Sequence, residues 1–172
     1  WFADEAEGYF NLTQSISADY LYGYHALNLR HGYSLLPEQH FRHVLGVGAA
    51  YGDELAPIIS KSEQIIILEP SAGFKSTSIK GIPVNYMKPV TSGVIQLASN
   101  SIDLVSCLAV LHHIPNVSKV ISEFYRVLKP GGYVLLREPT ISMGDWRKPR
   151  SGLTKRERGI PFTLLHDMVL QA

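Results

Sequence analysis

Short runs of β-branched and aliphatic residues alternate with stretches whose apolar positions recur at helical spacing, and this alternation fills residues 42–139. His43-Val44-Leu45-Gly46-Val47 reads as a short buried strand. The glycine turn Gly48-Ala49-Ala50-Tyr51-Gly52 follows. A helix is predicted to start near Asp53-Glu54, whose negative charges suit a helix N-terminus. Gln64-Ile65-Ile66-Ile67-Leu68 is apolar on both faces, as a central parallel strand is. Pro83-Val84-Asn85-Tyr86-Met87 is a weaker third strand, and the run from Ile102 to Leu108 is a fourth.

The next helix is the clearest element. Asn116 stands where a cap belongs, and Val117, Val120, Ile121, Phe124 and Leu128 fall on one face. Lys129-Pro130-Gly131-Gly132 stops it with a turn, and Tyr133-Val134-Leu135-Leu136-Arg137-Glu138 forms a fifth strand. Strands and helices in alternation predict an α/β fold, a mainly parallel sheet with helices on both faces. Right-handed crossovers leave few other topologies.

The flanks differ in character. Residues 1–41 are rich in aromatics, Tyr9, Tyr20, Tyr22, Tyr24 and Tyr33 among them, and form a helical cap segment ahead of the domain at 42–172. After the fifth strand comes a basic loop with Trp146, Arg147, Lys148, Arg150, Lys155, Arg156 and Arg158. An amphipathic helix with the stripe Phe162, Leu165, Met168 and Val169 ends the chain.

Composition narrows the class. The 172 residues suffice for one core, and 45% hydrophobic with 18% charged residues describes a globular chain. A net charge of +1 gives no general attraction to nucleic acid or membrane. Cys107 is the single cysteine, so no intrachain disulfide forms and a reducing, cytoplasmic setting is expected. No apolar run approaches the ~20 residues needed to span a bilayer. The chain opens on Trp1 and is expected to be a piece of a longer protein. The sequons at Asn11 and Asn116 would matter only after secretion.

In open parallel sheets the ligand lies at the carboxyl ends of the strands, where strand order reverses. Glycines after the first strand let the backbone approach it closely. Glu69, at the end of the second strand, follows Gly48 by the ~20 residues expected of a nucleoside-binding unit and suits the two ribose hydroxyls. A dinucleotide fingerprint starting at Gly46 would need glycine at 51. Tyr51 stands there, and Gly52 comes one residue later.

That spacing, as the first of four blocks in order, resembles the Rossmann-like S-adenosylmethionine-dependent methyltransferases, small-molecule branch. The blocks are Gly46-Val47-Gly48-Ala49-Ala50-Tyr51-Gly52, Ile67-Leu68-Glu69-Pro70-Ser71, Asn100-Ser101-Ile102-Asp103-Leu104-Val105, and Leu111-His112-His113-Ile114-Pro115 with the run from Glu123 to Gly132. The resemblance covers residues 43 to 139 and implies S-adenosyl-L-methionine as methyl donor. Gly48, Ala49 and Ala50 would pass under its methionine part, Gly46 and Gly52 would belong to the same cofactor-binding turn, and Glu69 would hold the ribose. Pro70 would pack on the adenine, Thr91 and Ser92 would face the adenine amine, and Leu108 and Ala109 would lie near the sulfonium. The family's turn-opening acid is Gly46 here, its middle glycine is Ala50, and the acid expected near the adenine amine is replaced by Thr91-Ser92. The family's sheet continues for two more strands, so the sheet is expected to be incomplete, with an unfilled edge through which two copies could associate.

Methyl transfer is an in-line displacement, in which a base is needed only to take a proton from a hydroxyl or amine acceptor. His112 and His113 follow the fourth strand and are the candidate bases, the alternative being a purely structural pair. His25, His31, His40 and His43 match no ligand spacing, so no metal is expected. Tyr20, Tyr22, Tyr24 and His25 are candidates for the acceptor pocket, with ordinary packing as the competing account. The basic loop is either solvated or reaches an anionic acceptor such as a phosphorylated or nucleotide-linked sugar. The expected activity is methyl transfer to an oxygen or nitrogen of a small molecule. A domain that binds the donor or another nucleoside without catalysis is the alternative.

Overall fold

In the computed structural model the described residues are 3–5, 7–8, 24–145 and 147–172. Tyr9, Tyr20, Tyr22 and Trp146 lie outside them. A six-stranded sheet is built from β1 (Phe41–Val47), β2 (Ser62–Leu68), β3 (Ser78–Ile79), β4 (Ile82–Met87), β5 (Ile102–Leu108) and β6 (Leu128–Arg137). Its order is β3-β4-β2-β1-β5-β6, parallel except for the β3–β4 hairpin. That hairpin turns on Lys80 and Gly81, both at positive φ, the two-residue turn that matches strand twist.

Period-two alternation divides the sheet between two cores. Leu45, Val47, Ile66, Leu68, Val105 and Cys107 face α2 (Val117–Val127), whose Val120, Ile121, Phe124 and Val127 are buried against them. On the other face Val44, Ile65, Ile67 and Leu104 meet Leu55, Ile58, Ile59 and Tyr33. Helix α1 (Tyr24–His31) is held to β6 by Arg137, which donates from Nε to Asn28 Oδ1 at 2.7 Å and lies over the Tyr24 ring.

Four local expectations change. The helix after the glycine turn is two 3-10 turns, Asp53–Leu55 and Ile59–Lys61. Pro57 has no N–H to return to the Asp53 carbonyl, so Ala56 bonds there instead with the tighter 3-10 pattern. Strand β6 begins at Leu128, and the Lys129–Gly132 turn survives as a register break opposite Asp103. Asn116 does not cap α2 with its side chain; its Nδ2 donates to the Ser92 carbonyl at 2.7 Å. In α3 (Phe162–Leu170), Leu165 and Met168 pack on the core while Phe162 and Val169 stay exposed. No helix among the described residues is long and apolar enough to cross a membrane.

Candidate functional site

Strand β1 is flanked by β2 on one side and β5 on the other, so the chain leaves β1 and β5 toward opposite faces and opens a crevice at their carboxyl ends. Gly48 floors it at φ +60, and a Cβ there would lie 2.8 Å from Val110 Cγ2. Only glycine fits. Ala50 is also left-handed, at φ 48. Its N–H donates to Glu69 Oε2 at 3.2 Å, and its carbonyl accepts from Tyr86 Oη at 2.8 Å. The Ser71 N–H donates to Glu69 Oε1 at 3.0 Å. Glu69 is 4% exposed, and burial pushes its carboxyl up despite those two N–H donors.

Two adjoining compartments share Gly48, Pro70, Val110, His113 and Glu5. The larger, about 290 Å³, is lined also by Ala49, Ala50, Asp53, Glu54, Glu69 and Ala109. The smaller, about 90 Å³, is apolar, with Val47, Leu68, Val90, Ile95 and Ile114 in its walls. Gly48, Ala49, Ala50, Glu69, Pro70, Leu108, Ala109 and His113 therefore converge, as does His25. Gly46, Gly52, Thr91, Ser92 and His112 are not in the lining. A side chain on Gly46 would point at Ala49 and Leu55 in the core, and Gly52 packs beneath Ile79 and Ile67. In the loop after β4 it is Val90 and Gly93 that face the cavity, while the Ser92 carbonyl is taken by Asn116. Asp53, Glu54 and Glu5 were not legible as lining residues; the first two carried only a helix-start signal and Glu5 carried none.

The two histidines part company. His112 is 3% exposed; its Nδ1 lies 2.6 Å from Glu138 Oε2 and its Nε2 lies 3.3 Å from Glu157 Oε1. Burial works against its charged form, but the two carboxylates prevail and raise its pKa above the ordinary value. Both ring nitrogens are engaged, so His112 is a buried brace and not a base facing an acceptor. His113 stacks on it with ring centroids 4.1 Å apart, lines both compartments, and places Nδ1 2.7 Å from Glu5 Oε2. Ligand-capable atoms of His112, His113 and Glu157 lie within 4.8 Å of one another, though each of these residues already takes part in the hydrogen-bonded network.

That network closes the site from both chain flanks. Thr154 donates from Oγ1 to Glu5 Oε2 at 2.6 Å and from its N–H to Glu157 Oε2 at 2.9 Å. The basic loop is largely tied to its surroundings. Arg147 pairs with Asp145, Arg156 with Asp4, and Arg150 donates to the Met143 and Thr154 carbonyls.

A family model described as a methyltransferase domain matches residues 45–136. A ubiquinone biosynthesis O-methyltransferase of Pseudomonas putida is 37% identical over 54 residues, 31% of this chain and 23% of that protein. A hybrid PKS-NRPS synthetase of an Acremonium species is 38% identical over 68 residues, 40% of this chain and 2% of that protein. The matched stretches thus span less than a quarter of either relative. Among solved structures, a SAM-dependent methyltransferase of Thermotoga maritima superposes with a TM-score of 0.64 at 21% identity, covering 99% of this chain and 76% of that one. A methyltransferase of Bacillus halodurans gives 0.67 at 19%, covering 86% and 67%. At these identities the structural likeness is one of fold.

Proposed function

The chain belongs to the methyltransferase domain family, and on that premise we propose that it transfers a methyl group from S-adenosylmethionine to an oxygen or nitrogen of a small-molecule acceptor. One observation carries this reading: the backbone cradle of Gly48 and Ala50 stands beside a buried acceptor carboxylate, Glu69, at the sheet's switch point. A Cβ at Gly48 would fill the cradle, so the residues present fit an adenosyl ligand.

The apolar compartment suits the adenine, with Leu68, Pro70, Val90 and Ile95 among its lining residues. Glu69 accepts from the ribose hydroxyls, and Gly48 to Ala50 pass under the methionine part. When bound, the donor supplies an electrophilic methyl whose C–S bond breaks as the acceptor lone pair forms the new bond. Leu108 and Ala109 exclude water from that line, which strengthens the fixed dipoles around it. His113, held by Glu5, takes the proton that an acceptor hydroxyl or amine must shed.

An acceptor without phosphate fits better than an anionic one, because the loop's guanidinium groups already have carboxylate or carbonyl partners. Strand β6 ends the described sheet, which supports association of two copies along that edge, and sedimentation velocity decides it. The buried lone thiol of Cys107 supports a reducing, cytoplasmic setting.

The test is isothermal titration with S-adenosylmethionine, followed by transfer of a labelled methyl to a panel of phenols, alcohols, amines and carbon acids. Binding weakened by Glu69→Ala, with label on oxygen or nitrogen, supports the proposal. No binding to the unaltered chain overturns it; binding without transfer to any acceptor favours a donor-binding domain, a reading suggested by Gly46.

A further inference from the structure

The methyl donor carries an α-ammonium group, which a carboxylate in the cavity would pair most strongly. Position 46 cannot supply one. It is glycine, and a Cβ there would lie 3.0 Å from Ala49 Cβ and 3.2 Å from Leu55 Cδ1, inside the core. Four carboxylates line the polar compartment, Glu5, Asp53, Glu54 and Glu69, and Glu5 is already engaged by His113, Thr154 Oγ1 and the Arg156 N–H. Glu69 already accepts from two backbone N–H groups and faces the ribose end. Asp53 is exposed, where water screens it. Glu54 is half-buried, and among the described residues it makes no hydrogen bond and no ion pair. A carboxylate withdrawn from water without a partner is costly to keep unless a ligand completes it.

We propose that Glu54 is the anchor for the donor's α-ammonium, taking the place of the acid that position 46 has no room for. The proposal rests on the donor-binding reading above. Glu54 sits on the 3-10 turn two residues after Gly52, so the turn that cradles the donor also delivers the carboxylate. Its surroundings are consistent with waiting for a cation. Burial raises its carboxyl to about 7, with Arg137 lowering and Asp53 raising it. Tyr33 is pushed up to about 12 and Cys107 well above its ordinary value, so both stay neutral beside it. His25 faces the same cavity.

Before the donor binds, Glu54 is thus partly protonated near pH 7. An α-amine, with an ordinary pKa of about 8, arrives as ammonium at that pH and drives the carboxyl to ionise. Donor binding therefore releases a fraction of a proton.

The experiment is titration calorimetry of the full chain with S-adenosylhomocysteine at pH 7, in buffers of different ionisation enthalpy. A second ligand is the analogue whose α-amine is replaced by hydrogen. The unaltered protein is expected to release protons with S-adenosylhomocysteine and none with the analogue. Glu54→Gln is expected to bind S-adenosylhomocysteine about tenfold or more weakly, without proton release, and to bind the analogue as the unaltered protein does. Burial outweighs the attraction of Arg137 at Glu54, so removing its charge should leave the melting temperature equal or higher, which separates the effect from misfolding. Equal losses for both ligands, or proton release that survives Glu54→Gln, would overturn the assignment while leaving donor binding intact. No binding of S-adenosylhomocysteine to the unaltered protein would overturn both.

Discussion

Glu5 and His113 meet at 2.7 Å, Oε2 to Nδ1, although 108 positions separate them in the chain. This contact brings the start of the chain onto the loop that leaves β5, at the junction of the two compartments. A carboxylate on one ring nitrogen fixes how the ring is turned and which nitrogen is presented elsewhere. Replacing His113 with Gln is expected to slow methyl transfer by about 10²–10⁴-fold, the usual contribution of a positioned base. Donor affinity should change little. Glu5→Gln keeps the ring but loosens it, so its loss should be smaller, about tenfold. Steady-state rates beside calorimetric donor binding check the pair; an unaltered rate in His113→Gln removes the base role.

His112 plays a different part, visible in its pH dependence. Its pKa is raised in the folded chain above the ordinary 6.5, burial opposing and Glu138 with Glu157 prevailing. A raised folded value means that stability is fully present below the unfolded pKa and is lost as pH rises through the folded one. Glu157 is lowered below 4.5: burial opposes, but hydrogen bonds from His112 and Thr154 win, so its share is lost in acid. Melting temperature is therefore expected to fall as pH climbs above about 6.5. His112→Gln should be less stable at pH 6 and show a flatter alkaline limb. Thermal melts from pH 5 to 9 report both; an unchanged slope in the variant would place the titration elsewhere.

Much of this architecture was legible beforehand because it depends on periodicity. Val44, Leu45, Ile65 to Leu68 and Leu104 to Cys107 announce buried parallel strands whatever surrounds them, and Gly48 with Glu69 follows from where parallel strands bind ligands. What was missed depends on contacts between distant segments. A pair such as His112-His113 looks symmetrical in sequence, and only the fold sends one ring inward to Glu138 and the other toward the cavity. Gly46 looks like a missing acid until its Cβ direction shows that it faces Leu55. The helix expected from the Asp53-Glu54 pair is lost because Pro57 has no N–H to return to the Asp53 carbonyl.

Glu123 gives a prediction on packing. Buried on α2 at 3% exposure, it accepts from Arg126 at 2.7 Å and from the Ile95 N–H at 3.0 Å, while Lys119 reaches its other oxygen. Arg126 also donates to the Ile95 and Leu97 carbonyls, so the pair fastens the segment that feeds β5. Arg126, before burial and the other bonds, sets its carboxyl down to about 2. A lowered value contributes stability above the unfolded pKa and loses it as pH falls toward 2. Glu123→Gln should cost about 2 kcal/mol at pH 7, measured by urea unfolding. The cost should shrink below pH 4, and a constant difference across that range would argue for a purely steric role.

Ala50 sits at φ 48, where an L residue is strained by about 1–2 kcal/mol and glycine is not. Glycine adds disorder to the unfolded chain worth about 0.5–1 kcal/mol in the opposite direction. Ala50→Gly should therefore stabilise the protein by roughly 0.5 kcal/mol, while the bond from its N–H to Glu69 persists. Chemical denaturation decides this, and a destabilised variant would mean that the Ala50 methyl packs usefully in the turn.

Restoring the family's acid is the sharpest test of how this turn differs. In a pocket that merely lacked a charge, Gly46→Asp would improve donor binding. Here the new Cβ would press on Ala49 Cβ at 3.0 Å and Leu55 Cδ1 at 3.2 Å, and the carboxylate would enter a core that also holds Ile67. Overpacking costs about 1–3 kcal/mol, and an unpaired buried charge adds to it. The variant is expected to melt well below the unaltered protein and to bind S-adenosylhomocysteine no more tightly. Gly46→Ala isolates the steric part, because it adds only the methyl; it should lose less stability than Gly46→Asp and leave donor binding intact where it folds. Tighter binding by Gly46→Asp would show that the turn reorients to present the new carboxylate to the cavity, and position 46 would then belong to the site after all.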